Sequence, residues 1–224
     1  MSSYMQKLLG VSSEQLITCA SQTLYMVFVS LFLGSVIGFV LAFILVLTRK
    51  GGLKENKAVF LTTSTLINMF RSVPFVILLV FILPVTKAIV GTRIGTTAAL
   101  VPLTTFISPY LARLFENSLL EVKAGIIDAA RAMGASTMQI IFYFWLPEAK
   151  GSLILSVTIG AISLLGATAM AGVIGAGGVG DLALTYGYER MNSALMLFTV
   201  VVLIIFVQII QSIGNYFARK AKRI

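Results

Sequence analysis

The sequence contains no histidine, which removes imidazole metal sites and the commonest general base together. A single cysteine, Cys19, allows no disulfide within the chain; beside a long apolar run, its thiol reads as inert packing. Charge is scarce as well. Only 11% of the 224 residues are charged, where soluble domains carry about a quarter. The long apolar runs hold no Asp or Glu, and Arg71 is the one charge among them. Proton-coupled carriers need acids or histidines inside the membrane, and an intramembrane hydrolase needs a base, so both readings lose their chemistry. No G-x-x-x-x-G-K-[ST] run occurs, so nothing here cradles ATP in that way. No cluster of ligating side chains suggests a metal.

What is present is apolar: 58% hydrophobic residues with a mean hydropathy of +0.99. Leu24 to Leu47 is uncharged and long enough for a hydrocarbon core of about 30 Å at about 1.5 Å per residue. The pattern predicts five transmembrane helices in a single all-α integral membrane domain over 1–224. They cover about 20–47, 58–83, 95–114, 152–174 and 193–213, with one polar loop at about 116–150. The first nineteen residues include Lys7 and Glu14 and lack the order of a cleaved signal peptide, so none is expected.

Within the first span, Ser30, Gly34, Gly38 and Ala42 recur every fourth position, a ridge that admits close helix approach within the chain or between subunits. In the second, Pro74 predicts a break after Val73. Arg71 would lie near mid-membrane, lining a pathway or satisfying carbonyls freed by the proline. A short loop holding Lys87 and Arg93 leads to the third span, which contains Pro102 and Pro109. The small-residue fourth span should be tightly surrounded by protein, with Met170 either filler or pathway lining. Gly175-Ala176-Gly177-Gly178-Val179-Gly180 matches G-x-G-x-x-G formally but follows a membrane helix, so a tight external or re-entrant loop is expected instead.

Basic residues divide unevenly between the two sides. Twelve fall on the side of the 49–57 loop, the polar loop and the C-terminus; Lys7, Lys87, Arg93 and Arg190 fall on the other. The positive-inside rule therefore puts the polar loop and the C-terminus in the cytoplasm and the N-terminus outside. The +9 net charge is thus a topology signal, and no nucleic-acid partner is expected.

In the polar loop, Ile126, Ile127, Ala130 and Met133 lie at helical spacing, with Asp128 and Arg131 on the polar side. Gly134 can form a left-handed cap, and Ser136-Thr137-Met138-Gln139 has capping-box form. The second helix is expected to stop near Trp145, before Pro147. On physics alone such a pair could lie on lipid headgroups.

Asp128-Ala129-Ala130, then Gly134, Phe144 and Leu146-Pro147, resemble the EAA loop of ABC importer permeases, with Asp for the usual Glu and Phe144 where Ile is common. The runs 68–75, 89–92, 116–121, 131–135 and 175–178 extend this likeness to the methionine-importer permeases. The resemblance implies a type I ABC importer permease in the cytoplasmic membrane, working as a homodimer by alternating access. Its cargo would be methionine, with another amino acid or small solute as the alternative and an ion-coupled transporter behind that. The chain would carry no cofactor; two copies of a cytoplasmic ATPase would bind ATP and magnesium. An extracytoplasmic substrate-binding (lipo)protein and membrane lipid complete the implied partners. Asp128, Ala129, Ala130, Arg131, Met133, Gly134, Leu146 and Pro147 would couple to the ATPase. Asn68, Arg71, Phe75 and Met170 are candidates for the pathway near the dimer axis.

Overall fold

The computed structural model describes residues 9–221, so Lys7, Lys222 and Arg223 of the charge count lie outside it. Among the described residues every regular element is helical. We number them α1 (Ser13–Thr48), α2 (Lys57–Ser72), α3 (Phe75–Phe81), α4 (Leu83–Val90), α5 (Thr96–Leu120) and α6 (Ala124–Ala132). Then come α7 (Thr137–Ile174), α8 (Val179–Leu182, continued to Tyr188 as a π turn) and α9 (Ser193–Ala221). Four helices (α1, α5, α7 and α9) are long and apolar enough to cross a membrane, and α2 with α3 makes a fifth span bent by 102°.

The core forms around α1 and α5. Ser30, Gly34, Gly38 and Ala42 are all buried, and the two glycines face Ile107, Ser108 and Leu111 of α5. The small-residue ridge is therefore an intramolecular seam. Phe39 stacks edge-on against Phe115 at 5.5 Å across the same seam. Both prolines of α5 are buried without ending the helix. Thr105 Oγ1 donates to Val101 O at 2.9 Å and Ser108 Oγ to Thr104 O at 2.7 Å, so hydroxyls bond carbonyls adjoining Ala98 O and Thr105 O on the helix, the two that Pro102 and Pro109 leave without an amide donor.

The break at Pro74 is sharper than a kink. Val73 is extended (φ −85°, ψ 124°), and Pro74 O accepts from the amides of Ile77 and Leu78 to start α3. Lys87, expected in a loop, lies within α4, which stops at Gly91 in the left-handed region (φ 84°). The third span also runs further than expected, to Leu120, which brings Glu116 into the same helix as Arg113, a second charge besides Arg71 within the spans. The expectation that the spans hold no acid is corrected by Glu116.

Another correction concerns Pro147. Its helix does not stop near Trp145 but continues unbroken from Thr137 to Ile174. Ile140–Trp145 is wound as a π segment, in which the Leu146 amide donates to Ile141 O, and Pro147 falls early in the α-helical run that follows. One extra residue in the turn takes up the register that a missing proline N–H would otherwise leave open.

The glycine-rich segment closes the opposite end of the molecule. Gly178 N donates to Gln22 Oε1 at 3.0 Å and Val179 N to Thr23 Oγ1 at 2.9 Å, while Thr96 Oγ1 donates to Ala176 O at 2.8 Å. Two amides that a phosphate would need are thus held by α1, in keeping with the rejection of a dinucleotide loop. Gly177 and Gly178 have φ of 72° and 97°, and a Cβ on Gly177 would strike the Gln22 side chain. α8 then turns back onto α7, with Gly180 lying against Ala169.

Candidate functional site

The polar loop folds as the sequence predicts up to its second helix. α6 ends in a Schellman motif: Ala135 N donates to Ala130 O (3.1 Å), Gly134 N to Arg131 O (2.9 Å), and Gly134 has φ 80°. Ser136 and Gln139 form the reciprocal capping box, with Ser136 N donating to Gln139 Oε1 at 2.7 Å. The two caps fix the angle at which α6 meets α7.

Ile127 and Ala130 are buried beneath α6, and Asp128, Ala129 and Arg131 are exposed on its outer side. Met133, expected on the apolar face, is instead 72% exposed. It lies beyond the helix end, where the chain reverses and carries the side chain outward. Met138, Phe142 and Tyr143 are exposed as well, Tyr143 to 74%, so both helices of the knob bear uncovered apolar groups. Leu146 is half-buried and Pro147 exposed. The sequence reading missed Met138, Phe142 and Tyr143; their outward direction depends on the π segment, which shifts the helical phase.

The knob is tied to the spans below it. Trp145 is buried and its Nε1 donates to Leu119 O at 3.0 Å. Ser118 Oγ and Ser156 Oγ are 2.9 Å apart, and Ser152 Oγ donates to Glu121 Oε2 at 2.6 Å. Replacing Trp145 by phenylalanine removes one buried hydrogen bond, and thermal unfolding in detergent should show a loss of about 1 kcal/mol.

The four pathway candidates separate. Asn68 and Arg71 are exposed on α2, and the Arg71 guanidinium sits 5.9 Å from the centroid of the Tyr110 ring. Phe75 is buried in the core against Phe106, 5.1 Å between centroids. Met170 is exposed near the far end of α7, on one side with Gly166 and Val173. That side of α7 is open in the single chain, whereas Gly160, Ala161 and Ala167 are buried as expected. Among the described residues, no group of three or more ligating acids or cysteines is brought together to hold a metal.

This geometry has counterparts among known proteins. The family described as "Binding-protein-dependent transport system inner membrane component" matches residues 34–223. The chain belongs to this permease family. The permease is 49% identical over 211 residues to the probable D-methionine transport system permease protein MetI of Vibrio cholerae serotype O1, covering 94% of each chain. It is 46% identical to the methionine import system permease protein MetP of Bacillus subtilis over 77% of its own length and 78% of the other's. In three dimensions it matches a chain of the MetNI methionine ABC transporter, solved in inward-facing conformations. The TM-score is 0.92, with 43% identity and 99% of both chains covered. The all-helical permease fold, with its bent second span and helical knob, is thus that of a known importer.

Proposed function

We propose that this permease carries methionine across the cytoplasmic membrane as a homodimer driven by two copies of a cytoplasmic ABC ATPase. The observation that carries the coupling half of this reading is the knob. A chain without a nucleotide-binding loop presents Met133, Met138, Phe142 and Tyr143 to the aqueous side, beside the exposed Asp128 and Arg131. Uncovered apolar groups rimmed by charge fit a protein partner. The twelve-to-four distribution of basic residues supports a cytoplasmic knob and C-terminus, with the N-terminus outside. The methionine half is supported by the identities to the MetI and MetP permeases.

In this mechanism the partner ATPase holds ATP and magnesium. Closure of the two ATPase subunits moves both α6 helices, and the five-span bundles rock between inward- and outward-facing arrangements. An extracytoplasmic binding protein delivers substrate at the end formed by the glycine-rich loop. Asn68, Arg71 and Met170, the exposed members of the candidate set, face the pathway near the dimer axis. Phe75 supports that wall from within the core.

The test is uptake of labelled methionine into proteoliposomes holding the permease, its ATPase subunit and the binding protein. Uptake should require internal ATP and all three components; uptake driven by an ion gradient with no ATPase present would overturn the reading. Gly134→Val forces a β-branched residue into the left-handed region, which costs about 1–2 kcal/mol. It should lower uptake roughly tenfold by misdirecting α7 from α6, and unaltered uptake would remove Gly134 from the coupling set.

A further inference from the structure

Arg113 and Glu116 have no part in the mechanism so far, and the sequence reading counted Arg113 only as a cytoplasmic charge. In the structure they form the one ion pair seen among the described residues. Arg113 Nη1 donates to Glu116 Oε2 at 2.7 Å on α5, where Glu116 is only 7% exposed. The other guanidinium nitrogen crosses to α2. Nη2 donates to Ser64 Oγ at 2.5 Å, to Ser64 O at 3.2 Å and to Asn68 Oδ1 at 3.1 Å. An ion pair sheltered from water is costly unless its remaining donors and acceptors are satisfied, and here one planar fork holds a carboxylate, a carbonyl, a hydroxyl and an amide.

The placement of this fork matters more than its strength. α2 buries only Ile67, so few apolar contacts fix it to the bundle. It carries Asn68 and Arg71, two of the exposed pathway candidates. On the other side, Glu116 lies just before the end of α5 at Leu120, and α6 begins at Ala124. Leu119 O accepts from Trp145 in the π segment above. The last turn of α5 is therefore bound to both roots of the knob, and the turn before it grips α2.

We propose that Arg113 is a positioning residue that passes displacement of the knob to α2, and so sets the pathway wall around Asn68 and Arg71 in step with the ATPase. The inference rests on the reading that an ATPase docks at the knob. Arginine is required because lysine, a point charge, cannot hold Glu116 and the Ser64–Asn68 pair in one rigid plane.

The experiment is the ratio of methionine taken up to ATP hydrolysed, in proteoliposomes containing permease, ATPase and binding protein. Arg113→Lys should lower this ratio about fivefold or more, while ATP hydrolysis stays within about twofold of the unaltered complex. Ser64→Ala removes only the hydroxyl acceptor and should lower the ratio about twofold. Uptake and hydrolysis falling in parallel, or a ratio held at its original value in both variants, overturns the role of Arg113 and leaves the ATPase reading standing. If Arg113→Lys fails to accumulate in the membrane, Ser64→Ala decides by the same two outcomes. No ATP-driven uptake by the unaltered complex overturns the ATPase reading, and this inference with it.

Discussion

Phe142→Asp is expected to abolish capture of the ATPase subunit while leaving the permease folded. The ring is 60% exposed on the knob, between Met138 and Tyr143, so the substitution removes no buried contact and costs little stability. In an interface the same ring would be desolvated, and truncating an aromatic anchor costs about 2–4 kcal/mol. Placing a carboxylate there adds an unpaired charge. Co-purification should therefore fall by about a hundredfold or more, with the melting temperature of the isolated permease unchanged. The competing physical account has Phe142 and Tyr143 resting on lipid headgroups. Under that account the ATPase would still be captured, so full retention would remove the knob as a docking surface.

Gly38→Leu has the largest expected effect on stability. A Cβ at this position would lie 3.0 Å from Ser108 O and 3.1 Å from Ala112 N, both backbone atoms of α5. A rotamer change cannot relieve such contacts; the helices must separate. The seam also holds Gly34, Phe39 and Phe115, and its opening would cost on the order of 3 kcal/mol. Unfolding in detergent measures the loss, with Val40→Leu on the exposed side of α1 as the control, expected to shift stability by less than about 0.5 kcal/mol. Equal stability of the two variants would show that the small-residue ridge does not govern packing.

The seam was legible in the sequence because a four-residue period of small side chains has one geometrical meaning on a helix. The break at Pro74, the Gly134 reversal and the Ser136–Gln139 box were legible for the same reason: each is a backbone requirement carried by residue type. Where the outcome depended on a third party, the sequence reading went astray. Pro147 stops a helix only if the register is α-helical, and the π segment before it changes the register. Lys87 read as a loop residue because charge marks boundaries only when the helix beside it is buried, whereas α4 is short and largely exposed. Glu116 stood at the start of the expected aqueous loop and Arg113 was counted only as a cytoplasmic charge; Ser64 and Asn68, some fifty positions earlier, are what hold the Arg113 fork against α2. Phe75 and Phe142 could not be sorted into buried and exposed by composition, since the bend at Val73 and the π phase decide where each ring points.

The unbroken winding of α7 through Pro147 has a mechanical consequence. Thr137 to Ile174 is a rod of 38 residues, about 57 Å long at about 1.5 Å per residue. With no loop between knob and span, a push at the aqueous end passes along one continuous helix, in which the Ile140–Trp145 π segment is the place to bend, and reaches the span as tilt. A tilt of only about 5° moves one end of such a rod by about 5 Å relative to the other. The glycine-rich loop hangs on the far end, stitched to α1 and α5. A tilt imposed at the knob is thereby carried to the opposite mouth of the molecule, and the relative shift of the two ends is set by the length of one helix.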